Sequence, residues 1–263
     1  MKIIDLTKEY EATYLMCLED WSEEMKEAGN SKCEWYEKMK DNNLGVKLAV
    51  DDKGIVGGMI QYVPIEYSAA SGQDLYFIDC IWVHGHKEGK GNFQKKGMGK
   101  ALLAAAEADV ILRGAKGIVA WGLKMPIWMK ASWYKKHGYK KIETDKMAVL
   151  LWKPFSEDAI PPKWVKQVKH PLANANPGKV TVTAFYNGRC QVQCIALERA
   201  RRGVKEYGDQ VVLVEINTFD REIFLEWGIA DALYVEDTNL TKGPPVTYER
   251  IIKVIDKKLK HIA

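Results

Sequence analysis

Three places in the chain carry residues that could do chemistry. The first is Gln94-Lys95-Lys96-Gly97-Met98-Gly99-Lys100. Two glycines and three lysines stand there at the head of a helical pattern, Met98, Ala101, Leu102, Ala105 and Leu112. The first N–H groups of a helix lack internal partners, and the helix dipole is positive at that end. Glycine lets a phosphate come close to the backbone. The run therefore predicts a cradle for a phosphorylated anion. Its spacing is neither that of a dinucleotide-binding turn nor that of a P-loop.

The second place is Asp79-Cys80, inside the nearly continuous apolar run Leu75–Val83. Such a run predicts a buried central strand. Strict alternation along a strand puts Asp79 and Cys80 on opposite faces. Asp79 is then a candidate proton acceptor, or equally a structural partner of a backbone group, and Cys80 is a core residue. His84-Gly85-His86 follows. Two imidazoles without a third or fourth ligand do not make a metal site, and no metal is expected.

The third place is Arg189-Cys190-Gln191-Val192-Gln193-Cys194. It puts a thiol where a helix begins, and the dipole with Arg189 would favour a thiolate there. Residues four apart share a helix face, so Cys190 and Cys194 could meet.

The elements that must position these residues divide at Lys153–Gly178. That stretch holds five of the nine prolines and reads as a linker, with Trp164 and Val165 placed to pack on a domain. Before it, strands are expected over 2–6, 46–50, 55–65, 75–83, 118–121 and 147–152. Helices are expected over 8–20, 22–40, 98–113 and 128–137. Trp133-Tyr134-Lys135-Lys136-His137-Gly138-Tyr139 closes the last helix with a glycine and starts a strand. After the linker come strands at 179–186, 210–216 and 232–235 and helices at 190–207, 220–227 and 247–262. The domains are thus expected at 1–153 and 179–263, joined by 154–178, in an α/β (α+β) chain.

Composition bounds the rest. The 263 residues are 47% hydrophobic and 28% charged, which excludes a disordered or low-complexity chain. No apolar run approaches the roughly 18 residues of a membrane span. A net charge of +4 lacks the basic stripe of a nucleic-acid binder. Five cysteines and no visible signal peptide point to a reducing, cytoplasmic setting. Neither a membrane nor a nucleic-acid partner is expected, and a homodimer is left open.

The glycine turn and the Tyr134-x-x-x-Gly138-Tyr139 run, in this order and spacing, resemble the GNAT family of N-acetyltransferases over residues 1 to about 153. The resemblance implies an acyl-CoA N-acyltransferase fold and acetyl-CoA as co-substrate. It implies that backbone groups of Ile81, Trp82 and Val83 pair with the pantetheine arm, and that Gln94, Lys95, Lys96, Gly97, Met98, Gly99 and Lys100 hold the pyrophosphate. Tyr134 would protonate the departing thiolate, and Asp79 would take the proton of a small-molecule amine. The loop His84–Phe93 is longer than that family needs and would reshape the adenine-ribose side. Trp21, Trp35, Tyr36, Tyr62 and Tyr67 are candidates to line the acceptor pocket or else part of a well-packed core, and the consecutive Trp35 and Tyr36 cannot both face the same way.

The strand–Cys190–helix layout resembles a thioredoxin-like fold, and the whole order is similar to YoaP-type acetyltransferases. Two departures stand out: the cysteines are spaced C-x-x-x-C, and no proline precedes the strand at Ala232. A thiol oxidoreductase, a thiol sensor or an acyl-CoA-binding module without turnover are the alternatives.

Overall fold

The computed structural model describes residues 1–125, 129–241 and 245–261. Strand β1 (Lys2–Asp5) is followed by helices α1 (Glu11–Leu15), α2 (Glu23–Lys26) and α3 (Ser31–Met39). Next come β2 (Gly45–Val50), β3 (Val56–Pro64), β4 (Ala70–Ser71) and β5 (Leu75–Val83). Helix α4 (Met98–Leu112), β6 (Gly117–Leu123), α5 (Ala131–Lys136), β7 (Lys140–Asp145), β8 (Ala148–Pro154) and β9 (Lys163–Trp164) continue the chain. Then come β10 (Val180–Tyr186), α6 (Gln191–Lys205), β11 (Val211–Asn217), α7 (Arg221–Trp227), β12 (Ala232–Val235), β13 (Thr238–Asn239) and α8 (Tyr248–Leu259). Trp128, the expected start of α5, and Ile262, the expected end of α8, lie outside the described residues. No described helix is long and apolar enough to cross a membrane.

The chain forms two compact units, one of residues 1–21 and 39–165, the other of 22–38 and 166–263. The first unit is built on a seven-stranded sheet in the order β1-β2-β3-β5-β6-β8-β7. Its neighbours are antiparallel except β5 and β6, which run parallel because α4 carries the chain back between them. Leu102, Leu103, Ala106 and Val110 of α4 bury against Ile60, Ile78, Ile118 and Ala120 of the sheet.

Two expected helices are shorter than their patterns, for local reasons. The first stops at Leu15, and the chain turns back through Cys17 and Leu18, both with positive φ. Burying Leu18 completely fixes that turn, which carries Glu19 to Trp21 away from the helix axis. The second pattern breaks between α2 and α3, where Gly29 takes a φ of 63°. A Cβ there would lie 2.7 Å from Glu198 Oε1, so the site admits only glycine without a shift.

In the second unit the strands order as β11-β10-β12-β13. β10 and β11 are parallel across α6, while β12 and β13 are antiparallel. Ala196, Leu197 and Ala200 of α6 and Ile251 and Ile255 of α8 close over Val180, Val182 and Val235. Segment 22–38, expected in the first domain, is part of this unit. Arg199 shows why: its guanidinium, 9% exposed, donates to Glu24 at 2.9 Å and to Glu27 at 3.2 Å. The expected linker is not free either. Its first part pairs as β9 with β4, and Val168 N–H donates to the Trp227 carbonyl within the second unit.

The Arg199 cluster has a measurable consequence. The hydrogen bond from Arg199 holds the Glu27 carboxyl below its ordinary value of 4.5. The folded value is the lower one, so the stabilisation is complete above 4.5 and is lost as pH falls through it. Arg199→Met is expected to destabilise the second unit by about 2 kcal/mol at neutral pH. It should also flatten the acid limb of a Tm-against-pH curve. An unchanged acid limb would show that the pair adds nothing.

Candidate active site

Strand β5 does not alternate regularly. Its register with β3 pairs Cys80 with Gln61 but Ile78 with Tyr62, so Asp79 is an extra residue, a β-bulge. Ile78 and Ile81 both pack into the core beneath α4. Residues three apart would face opposite ways on a regular strand. The bulge instead gives both Asp79 and Cys80 to the other face. The expectation that they point apart is therefore corrected, and Cys80 is half-buried rather than a core residue. On that face the Gln61 side chain, 1% exposed, donates from Nε2 to Asp79 Oδ2 at 3.2 Å. Its Oε1 accepts from the Tyr14 hydroxyl at 2.6 Å. A buried carboxylate is thus oriented by an amide that is itself held at its other end. Gln61 is the polar residue of the apolar stretch Met59–Val63, a signal that could have marked it from sequence.

The same bulge coincides with a parting of strands. The parallel ladder between β5 and β6 runs from Leu75–Gly117 to Ile78–Ala120 and stops. β5 continues to Val83 and β6 to Leu123 without pairing to each other. At the apex the Trp121 indole N–H donates to the Asp79 carbonyl at 3.0 Å, where a ladder bond would have been. Beyond it, one edge of Cys80–Val83 is paired with β3 and the other faces the gap. An extended ligand with amide groups could lie in such a gap and complete the pairing.

The gap leads to the start of α4. Val83 Cγ2 lies 3.8 Å from where a Gly99 Cβ would stand, and Trp133 of α5 flanks the same glycine at 3.6 Å. Gly97 is the N-cap of α4, with φ 83° and no side-chain cap. A Cβ added at Gly97 would have nothing within 4 Å, so the amides behind it face open space. Lys95 also takes a left-handed conformation, which tightens the turn. Gln94, Lys95, Lys96 and Lys100 are exposed, and Met98 is buried as the first apolar anchor of the helix. Lys96 Nζ sits 5.2 Å over the ring of Phe93. An uncapped helix start with three exposed lysines beside it is the kind of arrangement that can hold a multiply charged anion.

Tyr134 is fully buried, its hydroxyl donating to Met129 Sδ at 3.7 Å. Burial pushes its hydroxyl well above the ordinary phenol range, and the charge of the Cys80 sulfur acts in the same direction. Tyr134 is therefore protonated at neutral pH and stands within electrostatic reach of β5. The unpaired stretch of β5 thus carries Ile81, Trp82 and Val83, Asp79 stands at its start and the 94–100 turn near its end, while Tyr134 is buried within electrostatic reach of Cys80.

The expected aromatic lining is not brought together. Trp35 and Tyr36 belong to the second unit and are both buried there. Tyr62 is buried in the first unit, its hydroxyl donating to Asp109 Oδ2 at 2.6 Å. Tyr67 donates to Asn42. Trp21 alone of the five lies beside the loop that follows β5, where its indole N–H donates to His84 Nε2 at 3.1 Å. Since Nε2 accepts, His84 carries its proton on Nδ1 and donates it to the Gly91 carbonyl at 2.7 Å. Both nitrogens of this fully buried imidazole are thus engaged in fixing the loop.

In the second unit Cys190 is the N-cap of α6 and half-buried, while Cys194 is 2% exposed with its thiol toward the Gly188 carbonyl. No disulfide joins them. Arg189 pairs with Asp231 at 3.2 Å, so its charge is shared with a carboxylate. Burial raises the Asp231 carboxyl above its ordinary range against the pull of Arg189 and the Asn187 N–H.

No protein-family model matches the chain, and no curated protein matches it. Solved structures do. An aminoglycoside 6'-acetyltransferase type Ii is 20% identical, over 59% of this chain and 97% of that one, with a TM-score of 0.45. A GNAT family acetyltransferase from Brucella melitensis in complex with acetyl-CoA is 16% identical, over 62% and 94%, at 0.42. The PaiA N-acetyltransferase from Thermoplasma acidophilum in complex with coenzyme A is 19% identical, over 59% and 100%, at 0.42.

Proposed function

We propose that this chain is a GNAT-type N-acetyltransferase that moves an acetyl group from acetyl-CoA directly to a small-molecule amine. The observation that carries the reading is the parting of β5 and β6 after Ile78–Ala120, opening toward the uncapped start of α4. Pantetheine amides would pair along Ile81–Val83, and the pyrophosphate would meet the amides behind Gly97 with Lys95, Lys96 and Lys100 nearby. The thioester carbonyl would then come to the bulge at Asp79. Asp79, held by Gln61, would take a proton from the ammonium of the acceptor. The free amine forms the C–N bond as the C–S bond breaks, the Tyr134 hydroxyl gives its proton to the departing thiolate, and the second proton of the attacking nitrogen is lost and restores the phenol. Holding two reactants in line accounts for much of the acceleration, since a thioester acylates a deprotonated amine readily. Calorimetric titration of the whole chain with acetyl-CoA tests the reading, with saturable binding at one site as the expected result. Absence of binding overturns it.

The second unit we read as thioredoxin-like, of the YoaP type. The parallel β10–α6–β11 unit followed by the antiparallel β12–β13 pair, ordered β11-β10-β12-β13, supports this. Cys190 at the head of α6 is then its reactive thiol. Iodoacetamide is expected to label Cys190 at least ~10-fold faster than Cys194, as exposure and the helix dipole both favour it. Mass mapping of the labelled peptides reads the ratio. Equal labelling would remove the thiol role.

A further inference from the structure

Glu19 is an unusual carboxylate for a soluble domain. It is 91% buried, against the rule that acidic side chains stay in water unless paired. Among the described residues its carboxylate accepts no hydrogen bond, and His86 Nε2 stands 3.6 Å from its Oε1. Its neighbour Asp20 is engaged differently, by Lys90 at 3.1 Å and by Thr13. Neither oxygen is sealed from solvent, so the carboxylate is open to pairing with a cation that arrives from outside.

The groups around it suit an organic cation. The His86 ring lies 6.1 Å from that of Trp21 and 6.2 Å from that of Trp82. Trp21 is partly exposed, and so are Trp82 and His86. Aromatic rings near a carboxylate suit a bound ammonium group, which both attract. The bonds of His84 to Trp21 and Gly91 hold this arrangement in place. Trp82 follows Cys80 by two residues, so it lies on the face of β5 that carries Asp79, about 7 Å further along from Cys80.

We infer that Glu19, Trp21, Trp82 and His86 form a subsite for the second ammonium group of a diamine or polyamine acceptor. The inference rests on the acetyltransferase reading, which puts the amine to be acetylated at Asp79. One ammonium would lose its proton at Asp79 while the other stays charged at Glu19. The long loop after β5 would then serve to hold His86 against Glu19, and so set acceptor choice.

Titrating the full chain with putrescine and with n-butylamine tests this, alongside acetyl-CoA-dependent release of free thiol. Putrescine is expected to bind at least roughly tenfold tighter than the monoamine, the scale of one desolvated cation–π contact or ion pair. Glu19→Gln should abolish that preference and leave the binding of butylamine and of acetyl-CoA unchanged. Glu19→Asp, which keeps the charge, should restore most of it. Equal binding of the two amines to the native chain overturns the subsite, as does a preference that survives in Glu19→Gln. A putrescine preference with acetyl-CoA binding but no thiol release removes its assignment to an acceptor. Failure of acetyl-CoA to bind removes the acetyltransferase reading instead, while the amine comparison still decides whether the cation site exists.

Discussion

Gly97→Glu is expected to abolish acetyl-CoA binding, with a loss of at least ~100-fold. Three effects add. The φ of 83° at Gly97 is one that an L side chain adopts only with strain. Nothing stands within 4 Å of the new Cβ, so the side chain is free to occupy the space in front of the α4 amides. A carboxylate there would satisfy the helix end from within the protein and repel a pyrophosphate. The substitution lies on an exposed turn, so the fold should persist. Calorimetry and a melting curve on the same sample separate the two effects. Gly97→Ala, which adds strain without charge, should lose much less. If Gly97→Glu binds acetyl-CoA as the native chain does, the anion is held elsewhere and the proposed site is wrong.

Much of this was legible because local physics dominates in the elements concerned. The run Leu75–Val83 reads as a strand and is one over the same residues, since it is too short for a typical helix and rich in β-branched and aromatic residues. The turn before α4 was equally readable: glycine and lysine spacing ahead of a helical pattern states its own geometry. What could not be read was non-local. A bulge depends on register with β3, and register is set by packing on both sheet faces. One extra residue turned Asp79 and Cys80 to the same side, which a period of two cannot anticipate. The length of pairing between β5 and β6 is likewise a property of two strands. Segment 22–38 has the pattern of one long helix, and neither its break at Gly29 nor its membership of the second unit can be seen locally. Gly29 lies against Glu198, and Glu24 and Glu27 bind Arg199, partners about 170 residues away in sequence. Glu19 was hidden for a related reason: it becomes unusual only once its burial is known.

Asp79→Asn is expected to lower kcat/KM for the acceptor by about 10²–10⁴ at neutral pH while acetyl-CoA binds unchanged. The substitution keeps size and shape, and the amide oxygen can still accept from Gln61 Nε2, so the geometry at the bulge is retained. What disappears is the ability to take a proton. An alkyl ammonium has an ordinary pKa near that of lysine, about 10.4, so at neutral pH almost none of the acceptor is deprotonated in solution. With Asp79 as base the native chain would remove the proton after binding, whereas the variant would wait for the rare free amine. Its deficit should therefore shrink as pH rises toward about 10, and the two profiles should converge there. A merely structural role would lower the rate by the same factor at every pH. That uniform factor, measured with an amine that supports turnover, would transfer the base to another group or to water. The Tyr14–Gln61 pair would then serve packing alone.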